Sequence, residues 1–234
     1  MSKLILTIDD IPQSVTVPMV DYLCEKKIPA VFFAVGMNIE KNPAPAIYAL
    51  KKGFLIGNHS YSHPAFSSLS FEEGVKEIER TEELLDWLYE MAGVRRTARL
   101  FRFPYIDKGS EKQEQFQAFL RSAGFQKLDD REITAKGYQR HAGDIDVACS
   151  FDCQEYNIPP GTMTIEDVLG RIHNGDPGNG SAVTDDSTQI VLLHSHDDTE
   201  RLVPGYYRII LEEIRSVGGT FISVKETGDI GESF

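Results

Sequence analysis

The sequence predicts an α/β fold, a single barrel-like domain, from three observations. Short apolar runs rich in branched residues alternate with segments of helical spacing along the whole chain. No composition break, internal repeat or low-complexity stretch divides the 234 residues. Most residues able to do chemistry fall directly after predicted strands, where parallel α/β folds gather their sites.

The elements follow in order. Lys3 to Ile8 reads as a strand buried on both faces, and Val17 to Lys27 as a helix with Val17, Val20, Leu23 and Cys24 on one side. Pro29 ends that helix, and Ala30 to Val35 is a second strand. Ala44 to Lys52 is a helix stopped by Gly53, and Phe54 to Gly57 a third strand. Ser70 with Glu73 caps a long helix to Met91, in which Trp87 is read as core. Leu100 to Phe103 is a strand, and Ser110 with Gln113 caps a helix ending at Gly124. Beyond it, 127–160 is irregular, with a strand expected at Ile145 to Phe151. Thr164 to Ile172 is a short helix, and 174–188 a loop rich in Gly, Asp and Asn. Ile190 to Leu193 is a buried strand, Pro204-Gly205 opens a helix to Ser216, and Thr220 to Val224 closes the pattern.

Composition narrows the partners. The chain is 41% hydrophobic and 26% charged, ordinary for a globular protein, and its formal net charge is −12. That balance argues against nucleic acid or an anionic membrane as main partner. No apolar stretch would span a bilayer, and no leader precedes the strand at Lys3. Cys24, Cys149 and Cys153 are an odd set without zinc-knuckle spacing, and read as free thiols. These features lead to the expectation of a cytoplasmic protein of undefined oligomeric state.

Asp9 and Asp10 close the first strand. Adjacent strand residues face opposite sides, so the two acids are expected in different environments. After the third strand, His59 and His63 stand four residues apart, on one side if the segment is helical. Two imidazoles and a carboxylate make a three-ligand site with an open position, as in catalytic zinc centres. Mixed N and O donors suit zinc, but also cobalt, nickel or iron.

Taken in order, Thr7-Ile8-Asp9-Asp10, His59-Ser60-Tyr61-Ser62-His63, Arg102-Phe103-Pro104-Tyr105 and Leu192-Leu193-His194 resemble the motifs of the polysaccharide deacetylase family. The shared unit of that family is the NodB-homology domain of carbohydrate esterase family four. The resemblance runs from Leu4 to about Val224. It implies a single-domain distorted (β/α) barrel with a long loop-rich region at about 106–188 that shapes access. It also implies hydrolysis of N- or O-acetyl groups on sugars with a divalent metal, zinc first. Asp10, His59 and His63 would be the ligands, Asp9 the general base, and His194 the general acid. Arg102 would orient Asp9, and the backbone N–H of Tyr105 would stabilise the oxyanion.

The fourth family motif, Asp-x-x-Asp-Trp, is best matched by Asp152-Cys153-Gln154-Glu155-Tyr156. In that alignment Asp152 braces Arg102, with Asp144 and Asp146 as competitors. Tyr156 lines the acetyl pocket, and Leu192 also contacts substrate. Ile11-Pro12 replaces the usual Gly-Pro after the first motif, and Ile106 stands where a glycine is common. His196-Asp197-Asp198 reads as a polar loop, His141 and His173 as solvent or capping histidines, and Arg95, Arg96 and Arg99 as a solvated patch.

Three functions compete. The first is a metal-dependent deacetylase of acetylated saccharides. The second keeps barrel and metal but cleaves a cyclic imide, ureide or formamide of a small molecule. The third is a non-catalytic sugar-binding domain, which loss of a ligand, base or acid would mark; none is lost.

Overall fold

The computed structural model describes residues 2–131 and 133–223. Its central strand is β1 (Lys3–Ile11), followed by α1 (Thr16–Lys26), β2 (Ala30–Ala34), α2 (Gly36–Lys41), α3 (Ala44–Lys51) and β3 (Leu55–Asn58). Next come α4 (Phe71–Ala92), α5 (Gln113–Ser122), β4 (Phe151–Asp152), α6 (Ile165–Asn174) and β5 (Thr188–His194). The last elements are α7 (Asp197–Leu202), α8 (Tyr206–Ser216) and β6 (Thr220–Phe221). Sheet order is β3-β2-β1-β5-β4, with β6 beside the first residues of β1, and every pairing is parallel. Parallel strands need crossovers, which accounts for the intervening helices.

Alternation along β1 sorts its residues between two cores. Leu4, Leu6 and Ile8 pack under the outer helices, with Val20 and Leu23 of α1 and Ile210 and Ile214 of α8. Ile5 faces inward with Phe33, Leu100, Val147 and Leu192. A third cluster of Phe66, Phe101, Phe103 and Phe116 fills the space under α4 and α5.

The Ser70–Glu73 capping box of α4 is present, as is a second one at Thr164 and Asp167 of α6. Other expectations need correction. Leu100 to Phe103 makes one bridge, Phe101 to Asn58, and the strand expected from Ile145 shrinks to β4, because loop contacts replace the ladder. Ser110 makes no side-chain cap; a 3-10 turn over Ser110–Lys112 precedes α5. Trp87 is 41% exposed, and Cys24 is exposed as well. The short helices α2 and α7 carried too few periodic residues to be read. Val224 lies outside the described residues. Among the described residues no helix is long and apolar enough to cross a membrane.

Close approach of α4 and α5 depends on Gly74, where a Cβ would stand 2.5 Å from Phe116 Cζ. Alanine normally stabilises a helix by about 1 kcal/mol over glycine. Here overpacking of about 1–3 kcal/mol opposes that gain, so Gly74→Ala is expected to lose up to about 2 kcal/mol. Urea unfolding measures it, and a stabilised variant would mean that the Phe116 ring gives way freely.

Candidate active site

The inward row of β1 continues from Ile5 through Thr7 to Asp9, which is 2% exposed. Arg102, fully buried, donates from Nη1 to Asp9 Oδ1 at 2.8 Å and to Thr7 Oγ1 at 2.9 Å. Its Nε donates to the Val147 carbonyl at 2.7 Å, and its guanidinium lies 4.5 Å from the centre of the Phe33 ring. Burial alone would raise the Asp9 pKa, but Arg102, His59 and His194 outweigh it and hold the carboxyl below its ordinary value. Asp9 is therefore an ionised, oriented carboxylate whose Oδ2 is not held by the arginine.

Strand alternation predicts that Asp10 faces away from Asp9. Instead Asp10 adopts φ 69°, a left-handed conformation that Asp tolerates better than most residues. Both acids then converge on one imidazole. His59 Nε2 lies 3.4 Å from Asp9 Oδ2 and 3.7 Å from Asp10 Oδ1, and His63 Nε2 lies 3.4 Å from Asp10 Oδ1. The histidine segment is likewise no helix. Ser60 and His63 are left-handed, at φ 63° and 60°, and the kinked turn brings the ring centres to 4.9 Å. Asn58 holds this turn to α4, accepting from Ser60 N–H and donating to the Ile78 carbonyl and Glu82.

The donors fit a divalent cation. His59 Nδ1 is 2.9 Å from the Arg102 carbonyl, which can only accept, so Nδ1 carries a proton and the neutral ring would offer its Nε2 lone pair to a cation. Burial and the neighbouring His59 push His63 down to about 4, keeping it neutral. Asp10 Oδ1 is buried without a hydrogen-bond partner. One ligand atom from each of Asp10, His59 and His63 lies within 4.8 Å of the others.

His194 stands beside Asp9 in the β1–β5 register. Its backbone N–H and its Nδ1 both meet Oε1 of the fully buried Glu155, at 2.6 and 3.0 Å. Burial would lower the His194 pKa, but the Glu155 carboxylate raises it to about 10. Glu155 is the residue that sequence reasoning missed. Its signal was there, as the second acid of the fourth motif, but glutamate for aspartate was read only as a departure.

Asp152 does not brace Arg102. It accepts from Gln154 N–H at 2.9 Å and Tyr156 Oη at 3.3 Å, and burial raises it to about 6. Asp144 and Asp146 are no substitutes, since both pair with Lys108 Nζ, at 2.7 and 3.0 Å. Arg102 sits inside the barrel, where Nη1 donates to Thr7 and Asp9 and Nε to a main-chain carbonyl, while Nη2 is buried without a hydrogen-bond partner.

A cavity of about 380 Å³ joins these groups, lined by the acid pair and both metal-type histidines together with Tyr105, Ile106, Asp152, Tyr156, Leu192, His194 and His196. Tyr105 is exposed and left-handed (φ 57°), its ring edge-on to His63, and its N–H makes no hydrogen bond among the described residues. Ile106 follows at φ 54°, which explains the usual glycine there. The Tyr156 ring lies edge-on to His194 at 4.7 Å.

The residues set aside divide. His173 pairs with Glu213 near the surface, as expected. His141 is instead buried near Asp144, and Arg96 is clamped by Glu82 at 2.8 Å, because each meets a carboxylate that shields it. The polar stretch after His194 is the start of α7, where Asp197 accepts from Ser14 and Val15 N–H.

At the strand ends of this parallel fold, two imidazoles and a carboxylate converge beside a buried acid as a group that could hold a metal ion. A family model described as polysaccharide deacetylase matches residues 2–127, more than half of the chain. The chain belongs to that family. It is 35% identical over 113 residues to the peptidoglycan-N-acetylmuramic acid deacetylase PdaC of Bacillus subtilis, covering 48% of this chain and 23% of that protein. It is 30% identical over 159 residues to chitin deacetylase 1 of Cryptococcus neoformans var. grubii, covering 68% of this chain and 30% of that protein. The chain thus spans less than a third of the length of these curated relatives. The solved chitin deacetylase of Colletotrichum lindemuthianum superposes with a TM-score of 0.68 at 22% identity, over 99% of this chain and 90% of that one. That likeness identifies the fold as a distorted (β/α) barrel.

Proposed function

We propose that the chain, as one NodB-homology domain, is a metal-dependent deacetylase that hydrolyses an N- or O-acetyl group on a saccharide. The observation that carries this reading is one cavity lined by an ionised acid held by Arg102, a histidine held by Glu155, and an Asp–His–His donor set. The names of the relatives, peptidoglycan and chitin deacetylases, support a sugar substrate over a small imide.

Asp10, His59 and His63 would hold the cation, zinc first on donor type. When bound, it supplies Lewis-acid activation of the acetyl carbonyl and of water. Asp9 takes the proton of the attacking water at Oδ2, because Oδ1 is committed to Arg102. The Tyr105 N–H donates to the carbonyl oxygen as negative charge develops there, a contact of the kind whose loss costs about 2.7–4 kcal/mol in other hydrolases. His194, with Nδ1 on Glu155, delivers a proton from Nε2 to the leaving nitrogen or oxygen. Leu192 and Tyr156 wall the acetyl side, and Asp152 fixes the Tyr156 hydroxyl.

Metal-replete protein should release acetate from acetylated chito-oligosaccharides or peptidoglycan fragments, lose that activity on chelation, and regain it with zinc or cobalt. Absence of acetate release from every acetylated saccharide tested would end this reading.

The Glu155–His194 pair makes a pH prediction. The folded pKa of His194 is raised from 6.5 to about 10, so the pair stabilises the fold fully below about 6.5 and loses that contribution as pH rises through 10. Glu155→Gln should shift the alkaline limb of kcat toward neutrality and lower kcat by about 10- to 100-fold, a part of what acid–base groups supply. An unshifted limb would separate Glu155 from the acid.

A further inference from the structure

We infer that His196 reads the sugar: its Nε2 accepts a hydrogen bond from a hydroxyl on the leaving side of the acetylated saccharide. The inference rests on the deacetylase reading and extends it to a substrate contact. His196 lines the same cavity as His194 but has neither of the other two tasks. It lies outside the Asp10–His59–His63 donor group, and among the described residues it has no carboxylate partner like Glu155.

Its ring is nonetheless fixed. Its backbone N–H donates to Tyr206 Oη at 3.0 Å, and its Nδ1 lies 2.8 Å from Oγ1 of the fully buried Thr199. The Thr199 hydroxyl has one proton, which it directs to the Glu155 carbonyl at 3.3 Å. A hydroxyl donating there accepts from the imidazole, so Nδ1 carries the hydrogen, and in the neutral ring Nε2 keeps its lone pair. Glu155 thereby indexes both histidines, His194 through its carboxylate and His196 through its carbonyl and Thr199. Because His196 lines the same cavity as His194, the proposed acid, its acceptor is assigned to the departing sugar. Sugar hydroxyls are the donors that match it.

Two measurements test this. Side-chain 15N NMR of the metal-loaded protein should show His196 protonated on Nδ1; protonation on Nε2 would overturn the assignment, whatever the enzyme hydrolyses. Kinetics should compare an acetylated chito-oligosaccharide with 4-nitrophenyl acetate, which has no hydroxyl. In His196→Phe the ratio of kcat/KM, sugar over aryl ester, should fall roughly 2- to 12-fold through KM, the equivalent of one neutral hydrogen bond. His196→Gln, which can return an acceptor near Nε2, should recover part of the ratio. Equal losses on both substrates, or no change in the ratio for either variant, would leave His196 a structural residue. Wild-type hydrolysis of the aryl ester alone would instead end the saccharide reading itself.

Discussion

Asp9→Asn is expected to keep its metal and lose turnover by about 10²–10⁴-fold, the range a general base contributes. Asp10→Ala is expected to lose the metal. The difference follows from geometry: Asp9 Oδ1 is bound by Arg102, whereas Asp10 Oδ1 is buried without a partner and lies within reach of both imidazoles. Asparagine preserves the shape of Asp9 but cannot take the proton from water. Metal content by mass spectrometry, read beside acetate release, separates the roles. Equal metal depletion in the two variants would refute the division of labour.

Arg102→Met is the second large effect. Removing one partner of a buried ion pair leaves a buried charge behind, at a cost of about 3–5 kcal/mol. Asp9 would then lose the largest influence lowering its pKa, while burial still raises it. In the wild type the depressed Asp9 pKa stabilises the fold above the unfolded value, near 3.9, and that contribution disappears as pH falls through the folded value. The variant should unfold at lower urea throughout neutral pH, and the acid limb of its residual kcat/KM should move upward. A variant with unchanged stability and acid limb would show that Arg102 neither supports nor tunes the base.

The sequence carried most of this site because metal and proton chemistry restrict residue type. Asp10, His59 and His63 could be named from residue type and spacing, and Asp9, Arg102 and His194 from the family resemblance of their motifs; five of the six line one cavity, with Arg102 bound to Asp9 behind it. What escaped was set by backbone conformation and by partners distant in sequence. The left-handed turn at Asp10 overrides strand alternation, and two more at Ser60 and His63 do the work assigned to a helix. Asp152 looked like the brace of Arg102 because motif spacing cannot register that the Val147 carbonyl lies closer to hand. His196 was passed over because nothing in a polar stretch reveals Thr199 beneath it. The strands at 100–103 and 145–151 were overread for the same reason: apolar runs report burial, and loops packed into a barrel mouth are also buried.

Asp197 joins chain segments far apart in sequence, accepting from Ser14 and Val15 just past β1 while standing immediately after the two cavity histidines of the β5 end. Its neighbour Ser195 adds a hydroxyl contact to Thr16 and a main-chain bond to Asp9. The proposed cation donors lie within 10–63, while the residues proposed for the acetyl wall and the departing sugar lie within 152–196, so the two sets are written in separate stretches. Beyond the β1–β5 ladder, the seam between them uses main-chain amides, the Asp197 carboxylate and small hydroxyls, so exchange of the later stretch is expected to leave the donors of the earlier one in place. Chimeras that exchange 150–200 between relatives and keep Asp197 should therefore inherit the metal affinity of one parent and the sugar preference of the other.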